Sequence, residues 1–118
     1  MKNKSLDGKN GEDSAAAYLE SAGFLIIDRN FRSKTGEIDI IAIDHGTLVF
    51  VEVKAWKSYA IENLEYAIDF KKQRKIIETA KCFLLKHREY RETAVRFDVV
   101  FLRQDAVTHL AAAFMESV

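Results

Sequence analysis

The stretch GEIDIIAIDHGTLVFVEVKAW, Gly36 to Trp56, limits the fold more than any other part of this 118-residue chain. Two apolar, β-branched runs, Gly36–Ile43 and Thr47–Ala55, flank the turn signal Asp44-His45-Gly46, so a hairpin is expected. Odd and even positions are apolar alike, so both faces of the pleat must be covered, as in the central strands of a layered fold. Four charged residues nevertheless stand within these runs: Glu37, Asp39, Glu52 and Lys54.

The flanking sequence supplies the covering elements. From Gly11 to Ala22 small and apolar residues recur at helical spacing, with Gly23 as a C-terminal stop. Glu12, Ala16 and Leu19 share one stripe, which turns Glu12 inward. Phe24–Ile27 reads as a short strand and Asp28–Thr35 as a polar link. A long helix is predicted over Glu62–His87, with Gln73, Ile77, Ala80 and Leu84 on one stripe and Ile76 and Phe83 beside it. Val95–Leu102 is a further strand, and Val107–Phe114 a closing strand or helix. The expectation is an α/β fold of order α-β-β-β-α-β, with helices covering both faces of a small mixed sheet. Residues 1–10 read as a flexible arm and 11–118 as one domain, because no proline, repeat or low-complexity linker divides the chain.

Composition excludes some chemistries. Cys82 is the sole cysteine, which rules out an internal disulfide or a cysteine-based zinc site. No apolar run approaches a membrane span, so a soluble cytoplasmic protein is expected. Eighteen basic and eighteen acidic residues cancel, but eight basic side chains crowd residues 71–91 against Glu78 and Glu89. That cluster is either the wet face of a helix or a surface for a polyanion.

Residues two apart on a strand share a face, so Glu37 points with Asp39, and Glu52 with Lys54. Pairing about the turn brings Asp39 nearly opposite Glu52. Carboxylates gathered in an apolar setting need compensation. A divalent cation provides it: Mg²⁺ takes carboxylate, water and phosphate oxygens. Lys54 then stands where it would orient a nucleophilic water or stabilise negative charge. The plainer reading of the same residues is an internal ion-pair network. Of the histidines, His109 reads as a structural hydrogen-bonding residue.

Asp39 followed by Glu52-Val53-Lys54 resembles the PD-(D/E)xK signature of restriction-endonuclease-like proteins, with Ile38 in place of the proline. The stretches GEDSAAAYLESAGF, RNFRSKTGEIDIIA, LVFVEVK, AIDFKKQRKI, RFDVVF and THLAAAF, spanning Gly11 to Phe114, resemble the YraN-like family of predicted bacterial endonucleases. That family is related to archaeal Holliday junction resolvases. The resemblance implies a three-layer α/β/α core of order αβββαβ and a nuclease dependent on Mg²⁺ or Mn²⁺. It implies Asp39 and Glu52 as metal ligands helped by Glu12, Lys54 as catalytic lysine, and Glu37, Lys72 and Gln73 as auxiliary residues. Arg32, Lys71, Lys72 and Arg74 are then candidate nucleic-acid contacts. Trp56 stands where the family usually has arginine, and either stacks on a base or simply packs. DNA is the favoured substrate and a homodimer the expected state, with DNA-processing proteins as further partners. The alternative is a nucleic-acid-binding module that keeps the fold with little or no cleavage.

Overall fold

The computed structural model describes residues 9–55, 68–103 and 106–115. Its elements are α1 (Lys9–Ser21), β1 (Leu25–Ser33), β2 (Gly36–Asp44), β3 (Thr47–Ala55), α2 (Phe70–Lys86), β4 (Val95–Leu102) and β5 (Val107–Phe114), with a 3-10 turn at Arg88–Tyr90. The expected hairpin forms with Asp44 paired to Thr47. Its two loop residues, His45 and Gly46, both have positive φ (49° and 85°), the geometry whose twist suits a two-residue hairpin.

The five strands form one mixed sheet in the order β1-β2-β3-β4-β5. Strand β4 runs parallel to β3, and the crossover between them carries α2; the other three pairs are antiparallel. Two apolar clusters flank the sheet. Ala15, Ala16 and Leu19 of α1 pack with Ile40, Ala42, Val49, Val51 and Val100. Ile76, Ile77, Ala80 and Phe83 of α2 pack with Ile38, Ile41, Leu48, Phe50, Phe97, Val99 and Phe101. Adjacent β2 residues Ile40 and Ile41 thus belong to opposite clusters, which is why this strand is apolar on both faces of its pleat.

Several boundaries differ from those read in the sequence. The first helix begins at Lys9, two residues inside the expected arm; residues 1–8 lie outside the described part. The expected link Asp28–Thr35 is mostly strand, since β1 runs to Ser33. Among the described residues it is an edge strand that pairs with β2 alone, so polar residues are tolerated along it. The predicted helix Glu62–His87 starts at Phe70, because Asp69 adopts an extended conformation and its side chain accepts the Lys72 amide at 2.8 Å. Residues 62–67 are not described. The closing segment is strand β5, settled by its pairing along β4. No helix among the described residues is long and apolar enough to cross a membrane.

A tether fixes the β1–β2 turn to α2. Thr79, fully buried, gives its hydroxyl to the Lys75 carbonyl (2.8 Å) and meets the Thr35 hydroxyl at 2.7 Å. A Cβ on Gly36 would come within 3.3 Å of that Thr79 oxygen, and Gly36 has φ +149°. Only glycine suits both conditions.

Candidate functional site

The candidate site lies where the sheet comes apart around Asp39. The β2–β3 ladder runs from Asp44–Thr47 to Ile40–Val51 and stops, leaving Asp39 facing Glu52 without further pairing. On the other side the β1–β2 pairing passes from Arg29–Ile40 to Phe31–Ile38, so Asn30 stands opposite Asp39. Asn30 has φ 56°, outside strand geometry. The backbone freed by these breaks is answered by a side chain: Asp39 Oδ2 accepts the Val53 amide at 2.7 Å.

Into this gap the chain brings further carboxylates. One oxygen each of Glu12, Glu37 and Asp39 lie within 4.8 Å of one another. Glu12 arrives from the start of α1 and is 13% exposed at its side chain, in keeping with its inward stripe. Its Oε1 accepts Asn30 Nδ2 at 2.8 Å and Arg29 Nη2 at 3.2 Å. Arg29 also donates to Asp13 at 2.6 Å. Glu37 has the Arg32 guanidinium 3.6 Å away. Glu52 stands beside Asp39 rather than within the triplet; its side chain is 12% exposed, and Lys72 Nζ from the first turn of α2 lies 3.6 Å from it.

Electrostatics follow from this crowding. Burial raises the Asp39 carboxyl, the Val53 amide opposes it, and the charges of Glu12 and Glu37 push it up again. Burial and then the Asp39 charge lift Glu52 to about 7, against the cations of Lys72 and Lys54. Lys54 itself is exposed at the end of β3. Hard oxygen donors that burial and mutual repulsion both push toward protonation are a donor set that a divalent cation would relieve. The residues therefore fit Mg²⁺ or Mn²⁺.

The structure thus gathers Glu12, Glu37, Asp39, Glu52 and Lys72 at one place, with Lys54 close enough to act on Glu52 through its charge. Glu37, read from sequence as auxiliary, belongs with Glu12 and Asp39 to the triplet whose oxygens lie within 4.8 Å of one another. Gln73 is turned to the helix start, donating to the Ile68 carbonyl at 2.9 Å. Arg32, Lys71 and Arg74 are exposed. Trp56 lies outside the described residues.

Two groups escaped the sequence reading. Arg29 and Asn30 were hidden in what looked like a polar link. Asp98 on β4 is fully buried and accepts Arg96 through both carboxylate oxygens (2.9 Å each), His109 Nε2 (2.8 Å) and the Ala112 amide (2.9 Å). Burial alone would raise Asp98; the bonds from His109, Arg96 and Ala112 outweigh it and hold the carboxyl below its ordinary value. Arg96 continues to Asp44 (3.1 Å), and His109 Nδ1 lies 3.2 Å from the Tyr18 hydroxyl. A lone aspartate inside the apolar run VRFDVVFL was the available signal, the same kind that marked Asp39.

Comparison with known proteins adds an identity of kind. The profile of the uncharacterised protein family UPF0102 matches residues 11–102. The chain belongs to UPF0102. It is 48% identical over 109 residues to the UPF0102 protein of Persephonella marina, covering 92% of this chain and 93% of that one. It is 44% identical over 124 residues to that of Treponema pallidum (99% and 98% covered). The UPF0102 protein of Lachnoclostridium phytofermentans is 43% identical over 112 residues, with 95% of each chain covered. The UPF0102 match spans α1 through β4, and so includes every residue of the acidic centre.

Proposed function

We propose that this protein is a metal-dependent endonuclease of the restriction-endonuclease-like, three-layer α/β/α kind, hydrolysing phosphodiester bonds in nucleic acid. DNA, including branched DNA, is the favoured substrate, met in the cytoplasm and by a homodimer. The observation that carries this reading is the convergence of Glu12, Glu37, Asp39 and Glu52 at a break in an otherwise apolar sheet, with Lys54 and Lys72 beside them. An ion-pair network alone would pair each of its carboxylates, whereas among the described residues Asp39 has no cation within salt-bridge distance.

Mg²⁺ or Mn²⁺ would be held by Asp39 and Glu52 with Glu12, Glu37 lying alongside. When bound, the cation would neutralise the carboxylates and polarise a phosphoryl oxygen or a water. The chain's own groups do the rest. Asp39 is fixed by the Val53 amide, so its second oxygen has a set direction. Lys54 supplies an ammonium to orient the attacking water or to stabilise charge as water adds to phosphorus and one P–O ester bond breaks. Lys72 balances Glu52 and, with Arg32, Lys71 and Arg74, contacts backbone phosphates without reading sequence.

The test is cleavage of duplex, single-stranded, flap and four-way-junction DNA with and without Mn²⁺, beside Asp39→Asn and Lys54→Ala. Metal-dependent cutting lost in both variants is the expected result. Binding without cutting under every condition replaces the enzyme with a binding module. Absence of both metal and DNA binding leaves only a structural ion-pair network.

A further inference from the structure

We propose that Asn30 is a positioning residue of the acidic centre: from a left-handed point in β1 it holds the Glu12 carboxylate, with Arg29 as second support, where a divalent cation is to be bound. This rests on reading the centre as a cation site.

Three observations carry it. The first is conformational. Among the described residues three other than glycine have positive φ: Asn30 (56°), His45 (49°) and Ala112 (53°). His45 forms the hairpin turn, and Ala112 presents its amide to Asp98. Asn30 needs a reason of its own. Asparagine enters this region with little penalty, but inside a strand it interrupts pairing, and such departures persist where the surroundings require them.

The second is position. The interruption falls opposite Asp39, at the level of the acidic centre. The third is what the side chain does. Asn30 Nδ2 donates to Glu12 Oε1 across 18 positions of sequence, and Arg29 Nη2 reaches the same oxygen. Two donors on one oxygen fix a carboxylate while its other oxygen remains for a further partner. Arg29 has Asp13 at 2.6 Å as a closer partner, so its charge is not committed to Glu12 alone. Asn30 is neutral and orients Glu12 without cancelling the charge a cation would use. An exposed bond of this kind adds little to folding. The backbone turn alone would be served at lower cost by glycine, so the amide side chain is what the turn does not explain.

The experiment separates backbone from side chain. Mn²⁺ binding to the full chain is measured by calorimetry for the wild type, Asn30→Gly, Glu12→Gln, their double variant and Asp39→Asn, with melting temperatures for each. Asn30→Gly is expected to melt like the wild type yet to bind Mn²⁺ about 10-fold or more weakly, as for other residues that orient metal ligands. In the Glu12→Gln background it should cost nothing more. Wild-type affinity in Asn30→Gly, with binding lost in Asp39→Asn, overturns the positioning role and leaves the cation reading intact. Losses that add in full, or a weaker affinity that comes with a much lower melting temperature, also overturn it. A wild type that takes no Mn²⁺ overturns both readings.

Discussion

Glu52 is the residue on which the cost of the centre is most visible. The folded chain keeps its proton up to about pH 7, whereas the unfolded chain releases it near 4.5. Between those values the native state binds more protons, so its stability falls as pH rises and levels off above the upper value. The stabilisation is present below pH 4.5 and is lost through pH 7, by about 3 kcal/mol for a shift of this size. Asp39, also raised, adds to the same slope. In metal-free buffer Glu52→Gln is therefore expected to melt above the wild type at pH 8.5 and level with it at pH 5. Thermal scans across pH check this; parallel curves would show that Glu52 titrates normally. Added Mn²⁺ should close the gap at high pH by stabilising the wild type alone.

Strands β2 and β4 each carry an aspartate at a break in pairing, and each aspartate takes an amide the break sets free. On β2 it is Asp39 with Val53; on β4 it is Asp98 with Ala112. The β4–β5 register shifts between Phe97 and Val99, at the Asp98 position. Asp98→Ala strands the Ala112 amide and leaves Arg96 with Asp44 and His109 with Tyr18 as their remaining partners; it is expected to cost about 3 kcal/mol or more, the scale for breaking a buried ion pair. Urea unfolding measures it, and early exchange of the β5 amides would show which strand lets go. These breaks also explain what the sequence made legible. Strands β3 and β4 could be bounded to the residue because their apolar runs are long and their partners lie in one sheet. The limits of β1 could not, since an edge strand with Asp28, Arg29, Asn30 and Arg32 looks like a loop until its neighbour is known. The start of α2 was masked by apolar periodicity upstream, although Asp69 followed by Phe70-Lys71-Lys72 held the capping signal. Asp39, Glu52 and Glu12 were legible as candidates because charge inside an apolar period stands out. Asn30 was not, because its role depends on φ and on a helix 18 residues away.

Across the whole molecule the net charge is nil, yet Lys71, Lys72 and Arg74 share the opening of α2, with Lys72 reaching the acidic centre. If these contact phosphates, removing Lys71 or Arg74 should weaken DNA binding evenly across sequences. Each loss should reduce the slope of log affinity against log salt by about 1. Arg91, in the turn before β4, serves as control and should leave the slope unchanged. Fluorescence anisotropy over a salt series with Ca²⁺ in place of Mn²⁺ decides it; an unchanged slope in all three variants moves the contact surface elsewhere.

The bond from Val53 to Asp39 has a consequence for descent. A lineage that gave up the proposed chemistry would still need an oxygen at position 39 to satisfy that amide, and asparagine supplies one as well as aspartate does. The fold would hold that position nearly fixed after its charge had ceased to matter. Glu12 has no such duty: its partners are the side chains of Arg29 and Asn30. Among descendants of this protein, a retired centre would show itself first at Glu12, with Asn30 free to become glycine soon after.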